Sequence, residues 1–162
     1  MKHFIFAILS ALTLSTIVSC NEKTTEAIIE ERVDTFATHY YNWQYLDCVP
    51  YITEGSVKYL KYFATNVTQA DIDLLKKAER DASIDVSDLR IQGDSLAFVT
   101  VKVSNVYAAD TIGRPANKYD SGTAEIKVVK QGNKWLVDFS HAPIRTAYQQ
   151  QSESQDPVSS QD

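Results

Sequence analysis

Beyond the first nineteen residues the chain carries two histidines, His39 and His141. An imidazole titrates at about pH 6.5, so either could pass a proton. Asp47 and Asp138 are the carboxylates that could complete a general acid/base pair with one of them. No His, Cys and carboxylate cluster has the spacing of a metal site, and neither a nucleophile elbow nor a phosphate loop is present. No metal or cofactor is therefore expected, and catalysis stands as the alternative to simple binding. Cys48 is either a reactive thiol or a small buried apolar side chain. The densest feature is aromatic: Tyr40, Tyr41, Trp43, Tyr45, Tyr51, Tyr59, Tyr62 and Phe63 take eight of the 17 aromatic residues of the chain within 24 positions. Such rings pair an apolar face with a polar tip, which suits a ligand pocket or a protein interface as well as a core. Tyr40, Trp43, Tyr51, Tyr59 and Tyr62, with His39 and Tyr107, are the candidate ligand-binding residues.

A different chemistry is written at the N-terminus. Met1-Lys2-His3 is a short basic start, and Phe4 to Val18 follows with no charge and mostly apolar residues, the pattern of a secretory leader. A membrane span needs about 20 apolar residues, and this run is shorter and broken by Ser and Thr. Ile17-Val18-Ser19-Cys20-Asn21 resembles the lipobox of bacterial lipoproteins, with Val18 bulkier than the usual residue at its place. The resemblance implies cleavage before Cys20, thioether lipidation of its sulfur, and attachment to a membrane through acyl chains. The expected location is the cell envelope, at the outer membrane of a Gram-negative bacterium, facing the periplasm or the surface.

The remaining elements must hold the candidate residues in place. Residues 20–25 read as a lipid-anchored tether after the 1–19 leader. Ile29, Val33, Phe36, Tyr40 and Trp43 recur at spacings of 4, 3, 4 and 3, which is one face of a helix ending near Tyr45-Leu46. Tyr41 and Tyr45 fall nearly opposite, under later helices or toward a partner. Asp47 caps a short turn through Val49-Pro50-Tyr51-Ile52, and Val57, Leu60 and Phe63 or Ala64 give a second helical face. Thr68-Gln69-Ala70-Asp71 resembles a capping box and opens a third helix bearing Ile72, Leu75, Ala78 and Ala82. After residue 85 the period becomes two. Strands are expected at Val86–Ile91, Ser95–Tyr107, Thr123–Lys130 and Lys134–Ser140, with turns at Gln92-Gly93-Asp94 and Gln131-Gly132-Asn133 and a loop over 108–120. Residues 149–162 lack aromatics and read as a disordered tail. Helices followed by an antiparallel meander make an α+β domain over 26–148.

That order of elements, with Trp43-Gln44-Tyr45-Leu46-Asp47-Cys48-Val49-Pro50-Tyr51-Ile52-Thr53 after the first helix and a last hairpin reading Gly132-Asn133-Lys134-Trp135-Leu136-Val137-Asp138, resembles the small lipoproteins of the nuclear transport factor 2-like (cystatin-like) superfamily, common in Bacteroidetes and often domains of unknown function. Over 26–140 the resemblance implies a cone: N-terminal helices packed on a curved antiparallel four-stranded sheet around a cavity. Superfamily members include enzymes, binders and dimerisation modules, so the fold leaves function open. Asp94-Ser95-Leu96 and Asp110-Thr111-Ile112 resemble the Asp-Ser/Thr-aliphatic pattern that some Bacteroidetes glycosylate.

Charge narrows the partners. The chain has 16 basic and 21 acidic residues, a formal charge of −5. Removing the leader takes only Lys2 among them. Nucleic acid wants a basic face, which this balance excludes. The expected partners are the membrane, through the N-terminal lipid, and a small apolar ligand or an envelope protein at the cone mouth and 108–120 loop; homodimerisation is a further option. With Cys20 committed to lipid, Cys48 has no bridge partner, so the fold stands on its core. The expected function is a lipid-anchored binding domain. The rivals are a general acid/base enzyme using a His/Asp pair and a structural envelope protein with a solid core.

Overall fold

The computed structural model describes residues 23–109 and 114–150. The expected leader 1–19, Cys20, the Asp110-Thr111-Ile112 motif and the tail from 151 onward lie outside the described residues.

Helix α1 spans Thr25–Tyr41, and its first turn is closed by Thr24, whose hydroxyl accepts a hydrogen bond from the Ala27 amide at 3.2 Å. Ile29, Val33, Phe36, Ala37 and Tyr41 form its buried face. The helix stops earlier than its apolar period predicts. Asn42 caps it, Trp43 turns left-handed (φ 60°), and the amides of Trp43 and Gln44 donate to the carbonyls of Tyr40 and His39. This is a Schellman motif, whose left-handed position is usually glycine. Trp43 is therefore not on the α1 face, and Tyr41, which the spacing puts nearly opposite that face, is buried with it.

Three short helices follow: α2 (Tyr45–Cys48), α3 (Val57–Asn66) and α4 (Gln69–Lys77), with 3-10 turns over Val49–Tyr51 and Glu54–Ser56 between the first two. Leu60 is the buried residue of α3, with Phe63 partly covered and Ala64 exposed. The capping box at α4 forms as its sequence predicts, the Thr68 hydroxyl accepting from the Asp71 amide and the Asp71 carboxylate accepting from the Thr68 amide. Helix α4 ends at Lys77 rather than reaching Ala82, because Ala78 is already extended. Ile72, expected to face inward, is exposed; the buried residue of this helix is Asp71.

The sheet runs β1 (Ser83–Gln92), β2 (Leu96–Ala108), β3 (Asn117–Gln131) and β4 (Lys134–Val137) in sequential antiparallel order, so the architecture is α+β, as expected. Gly93 and Gly132 take positive φ in the two hairpin turns, and Ser95 of the first turn is exposed. Strand β1 has a bulge between Ser87 and Arg90, with Asp88 left-handed. The alternation read in the sequence is the burial pattern found: Ala97, Val99, Val101 and Val103 of β2, Ala124, Ile126 and Val128 of β3, and Trp135, Val137 and Phe139 at the end all face the core with α1. Removing a valine or leucine side chain from water contributes about 1.5–3 kcal/mol, so this one shared layer dominates stability.

Two expectations are corrected here. Strand β3 begins at Asn117, inside the expected 108–120 loop. A fifth strand, β5 (Thr146–Gln149), pairs with Ser121–Ala124 of β3, on the same edge that β4 uses further along. The sheet therefore has five strands rather than four, and β5 crosses the boundary expected between domain and tail. Gly122 makes this pairing fit: a Cβ there would stand 2.8 Å from Thr146 Cγ2 and 2.9 Å from Tyr148 Cδ1. Tyr148 then stacks on Tyr119 with ring centroids 4.7 Å apart.

Candidate functional site

The end of α1, the Trp43 turn, α2, the end of α3, the end of β2 and the segment entering β5 converge on one cleft of about 360 Å³. Tyr40, Trp43, Tyr62 and Tyr107 of the expected set line it. Tyr41, Tyr45, Phe63, Asn66, Arg114 and Tyr148 line it too, without having been singled out for binding. The first three stand in the aromatic run. Tyr148 stands in a segment where no strand was expected, while Arg114 falls within the 108–120 loop expected to take part in binding, though it was not picked out there.

Tyr40 is the hub. Its ring stacks on Phe36 at 5.4 Å and meets Tyr41, Tyr45 and Phe63 edge-on at 5.2, 6.1 and 6.1 Å. Rings at these separations attract through their quadrupoles beyond the area they bury. Trp43 forms the next wall. Its indole N–H donates to the Tyr107 carbonyl at 3.0 Å and its ring stacks on Tyr45. A non-glycine residue held at positive φ costs on the order of 1–3 kcal/mol, and these two contacts offset that cost. Asn42 fixes the same corner from outside, exchanging hydrogen bonds with the amide and carbonyl of Ala82. The Tyr41 hydroxyl meets Thr146 Oγ1 at 2.9 Å and so ties α1 to β5.

Burial pushes the Tyr40 phenol well above its usual value, and it raises those of Tyr41 and Tyr45 as well. Each of these phenols is raised further by a neighbouring one. At neutral pH all three are protonated and able to donate. Among the described residues neither the Tyr40 nor the Tyr45 hydroxyl has a hydrogen-bond partner.

Three residues of the expected set lie elsewhere. Tyr51 sits under the Arg32 guanidinium (5.1 Å to the ring centroid) beside His39. Tyr59 packs on Phe139 with Lys58 over its ring. His39 itself holds Gln44 Oε1 with Nδ1 at 2.7 Å. Tyr51 and Tyr59 follow the break at Trp43 and pack beside His39 and on Phe139 instead of lining the cleft.

The acid/base pairs do not assemble. His141 Nδ1 lies 3.2 Å from Ser140 Oγ, and among the described residues neither histidine is within ion-pair distance of a carboxylate. Asp47 is exposed on α2. Asp138 is committed: its Oδ2 accepts from Lys127 Nζ at 2.8 Å, and its Oδ1 from the Thr53 hydroxyl at 3.0 Å and the Ser140 amide at 3.3 Å. Burial opposes its ionisation, but these bonds outweigh burial and hold the carboxyl well below the usual carboxylate range. The buried Ser56 hydroxyl extends the group, accepting from the Phe139 amide and meeting Thr53 Oγ1. The final Asp of the hairpin motif thus pins the 52–56 segment to the end of β4. Among the described residues no group of three or more His, Cys, Asp or Glu is placed to hold a metal.

Cys48 is buried, its sulfur near the carbonyls of Gln44 and Phe36 (3.6 and 3.9 Å), and burial pushes its thiol up to about 12. The inert reading is the one this geometry favours. A thiol displaced that far holds roughly a thousandfold less thiolate at pH 8 than a free cysteine. In the Cys20→Ser protein, alkylation by iodoacetamide at pH 8 should therefore be at least a hundredfold slower in buffer than in denaturant. Equal rates would show that Cys48 is accessible.

No protein-family model, curated protein or solved structure matches the chain. Its chemistry rests on the cleft itself.

Proposed function

We propose that this protein is a lipid-anchored envelope lipoprotein whose single domain binds a small apolar ligand in the aromatic cleft. The observation that carries the reading is the cleft: six separate segments bring their aromatic rings to one concavity of a volume that suits a small molecule. A side-chain-filled interior would have left no such space, and the histidines that an acid/base enzyme would need stand away from it and unpaired with carboxylates. The leader and Cys20 supply the address, at the outer membrane of a Gram-negative cell. The cone of the nuclear transport factor 2-like superfamily fits as the frame, since the helices precede an antiparallel sheet that packs around α1, and the cleft would then be the cone's mouth.

Uptake of the neutral fluorophore N-phenyl-1-naphthylamine tests the binding reading. Enhanced, saturable emission is expected with the Cys20→Ser protein. Ala108→Phe, which fills the cleft from the end of β2, should abolish it. Tyr62 is 49% exposed, so Tyr62→Ala leaves the fold intact; losing one ring contact of about 1 kcal/mol should weaken uptake roughly fivefold. Emission that is absent, or indifferent to both substitutions, would remove the cleft as a binding site.

A further inference from the structure

Resting on that reading, we propose that the cleft takes an anionic amphiphile, a small apolar body carrying one carboxylate or sulfonate that Arg114 binds. Charge is the first argument. The chain is acidic, with 21 Asp and Glu, yet among the described residues none of them lines the cleft. Arg114 is the charged side chain that does, and it is exposed at the rim, where the chain returns toward β3. Among the described residues it has no ion-pair partner. The other arginines with described contacts are engaged, Arg32 over Tyr51 and Arg90 with Glu125. A guanidinium has five donors and no acceptor, and its fork matches a carboxylate or sulfonate.

The floor supplies the second argument. The hydroxyls of Tyr40 and Tyr45 lack partners among the described residues, and both phenols are neutral at physiological pH. They therefore present donors and put no negative charge against an incoming acid. Asn66 donates its own amide to the Tyr62 carbonyl and is already spent in that direction. A cationic ligand would find aromatic faces here, but it would also meet Arg114, and among the described residues no carboxylate lines the cleft to receive it. An acid with an apolar body satisfies the whole lining: the rings take the body and Arg114 takes the charge. The Asp71 carboxylate behind the cleft keeps its charge and is felt by Tyr45, but Thr68 and the Ala116 amide occupy its oxygens and it makes no ion pair with Arg114.

The probes are a neutral and an acidic form of one skeleton, N-phenyl-1-naphthylamine and 8-anilinonaphthalene-1-sulfonate, titrated fluorimetrically into the mature-length Cys20→Ser chain. The sulfonate should bind at least tenfold more tightly than the neutral probe, and added salt should narrow the gap. Arg114→Gln should cost the sulfonate about tenfold and change the neutral probe by less than twofold. Arg114→Lys should restore most of the preference. Arg114 is exposed, so these variants are expected to fold, and an unchanged melting temperature confirms it. Equal affinities for the two probes, or a preference that survives Arg114→Gln, would overturn the anion inference while leaving the cleft as a site for neutral ligands. Failure of both probes to bind would overturn the binding reading together with it.

Discussion

Cys20→Ser is expected to move the protein from the membrane pellet of lysed cells to the soluble fraction. The size of the effect follows from the anchor. Each buried methylene contributes about 0.8 kcal/mol to membrane attachment, and more than one acyl chain makes attachment effectively permanent. Serine cannot form the thioether, so the loss is total rather than graded. Among the described residues no helix is long and apolar enough to cross a membrane. The measurement is fractionation with a carbonate wash, paired with metabolic labelling by a palmitate analogue. Label on the native chain and none on the variant is the expected result. A variant that stays in the washed pellet, or a native chain without label, would refute lipidation at Cys20. The proposed tether would also limit how far the domain can stand off. Four residues lie between Cys20 and Thr25, the first residue of α1, and each of the five steps spans at most about 3.6 Å, so α1 would start within roughly 18 Å of a lipidated Cys20. The cleft would therefore work close to the bilayer, within reach of amphiphiles that leave it.

Asp71→Ala should lower the unfolding free energy by about 2–4 kcal/mol, the sum of a lost N-terminal cap of about 1 kcal/mol and a buried amide left without its acceptor. In a domain of this size that corresponds to a fall in melting temperature of roughly 10 °C. Asp71 is 2% exposed, and its carboxylate receives the Thr68 amide and hydroxyl on Oδ2 and the Ala116 amide on Oδ1 at 2.8 Å. Asp71→Asn keeps one acceptor oxygen and should cost about half as much. Burial would raise this carboxyl, but the three hydrogen bonds outweigh burial and lower it. A lowered folded value makes the contribution complete above the unfolded carboxylate value of about 4 and lost as pH falls through the folded one. Asp138 is lowered in the same direction, so both withdraw stability on acidification. Thermal melts from pH 7 to pH 2 should show a decline beginning near pH 4 that is shallower in Asp71→Asn. A pH slope identical in native and variant chains would contradict this role. Because Ala116 closes the segment that carries Arg114, the Ala variant should also weaken sulfonate binding.

Asp71 shows well how far the sequence reaches. Thr68-Gln69-Ala70-Asp71 is a local pattern, and a helix start requires nothing more than the residues on either side of it, so the cap was legible. Its second partner, Ala116, lies 45 residues away, and no local pattern encodes that distance. The same division separates the alternating strands, whose buried faces were legible from period two, from β5. Four residues long, β5 is too short to show its own period, and it exists because Gly122 leaves room for Thr146 and Tyr148.

The candidate site divides in the same way. Composition alone concentrated the rings between Tyr40 and Phe63 and suggested Cys20 as an address, because aromatic density and the pattern of a leader ending in a cysteine are properties of neighbouring residues. Which rings share a cleft depended on the left-handed turn at Trp43, for which no glycine stood as a signal. That turn is held by the neighbouring Tyr45 ring and by the Tyr107 carbonyl, the latter a contact that exists only once α1 has docked on the sheet. The tertiary structure likewise withdrew His39, Tyr51 and Tyr59 from the cleft and brought in Arg114 and Tyr148 from segments distant in the chain. The sequence by itself determined the helices-then-strands order and the core faces, since each follows from local chemistry and periodicity, and it carries the leader and Cys20 on which the proposed anchor rests. Only folding decided the cleft and its charge, because both depend on long-range packing.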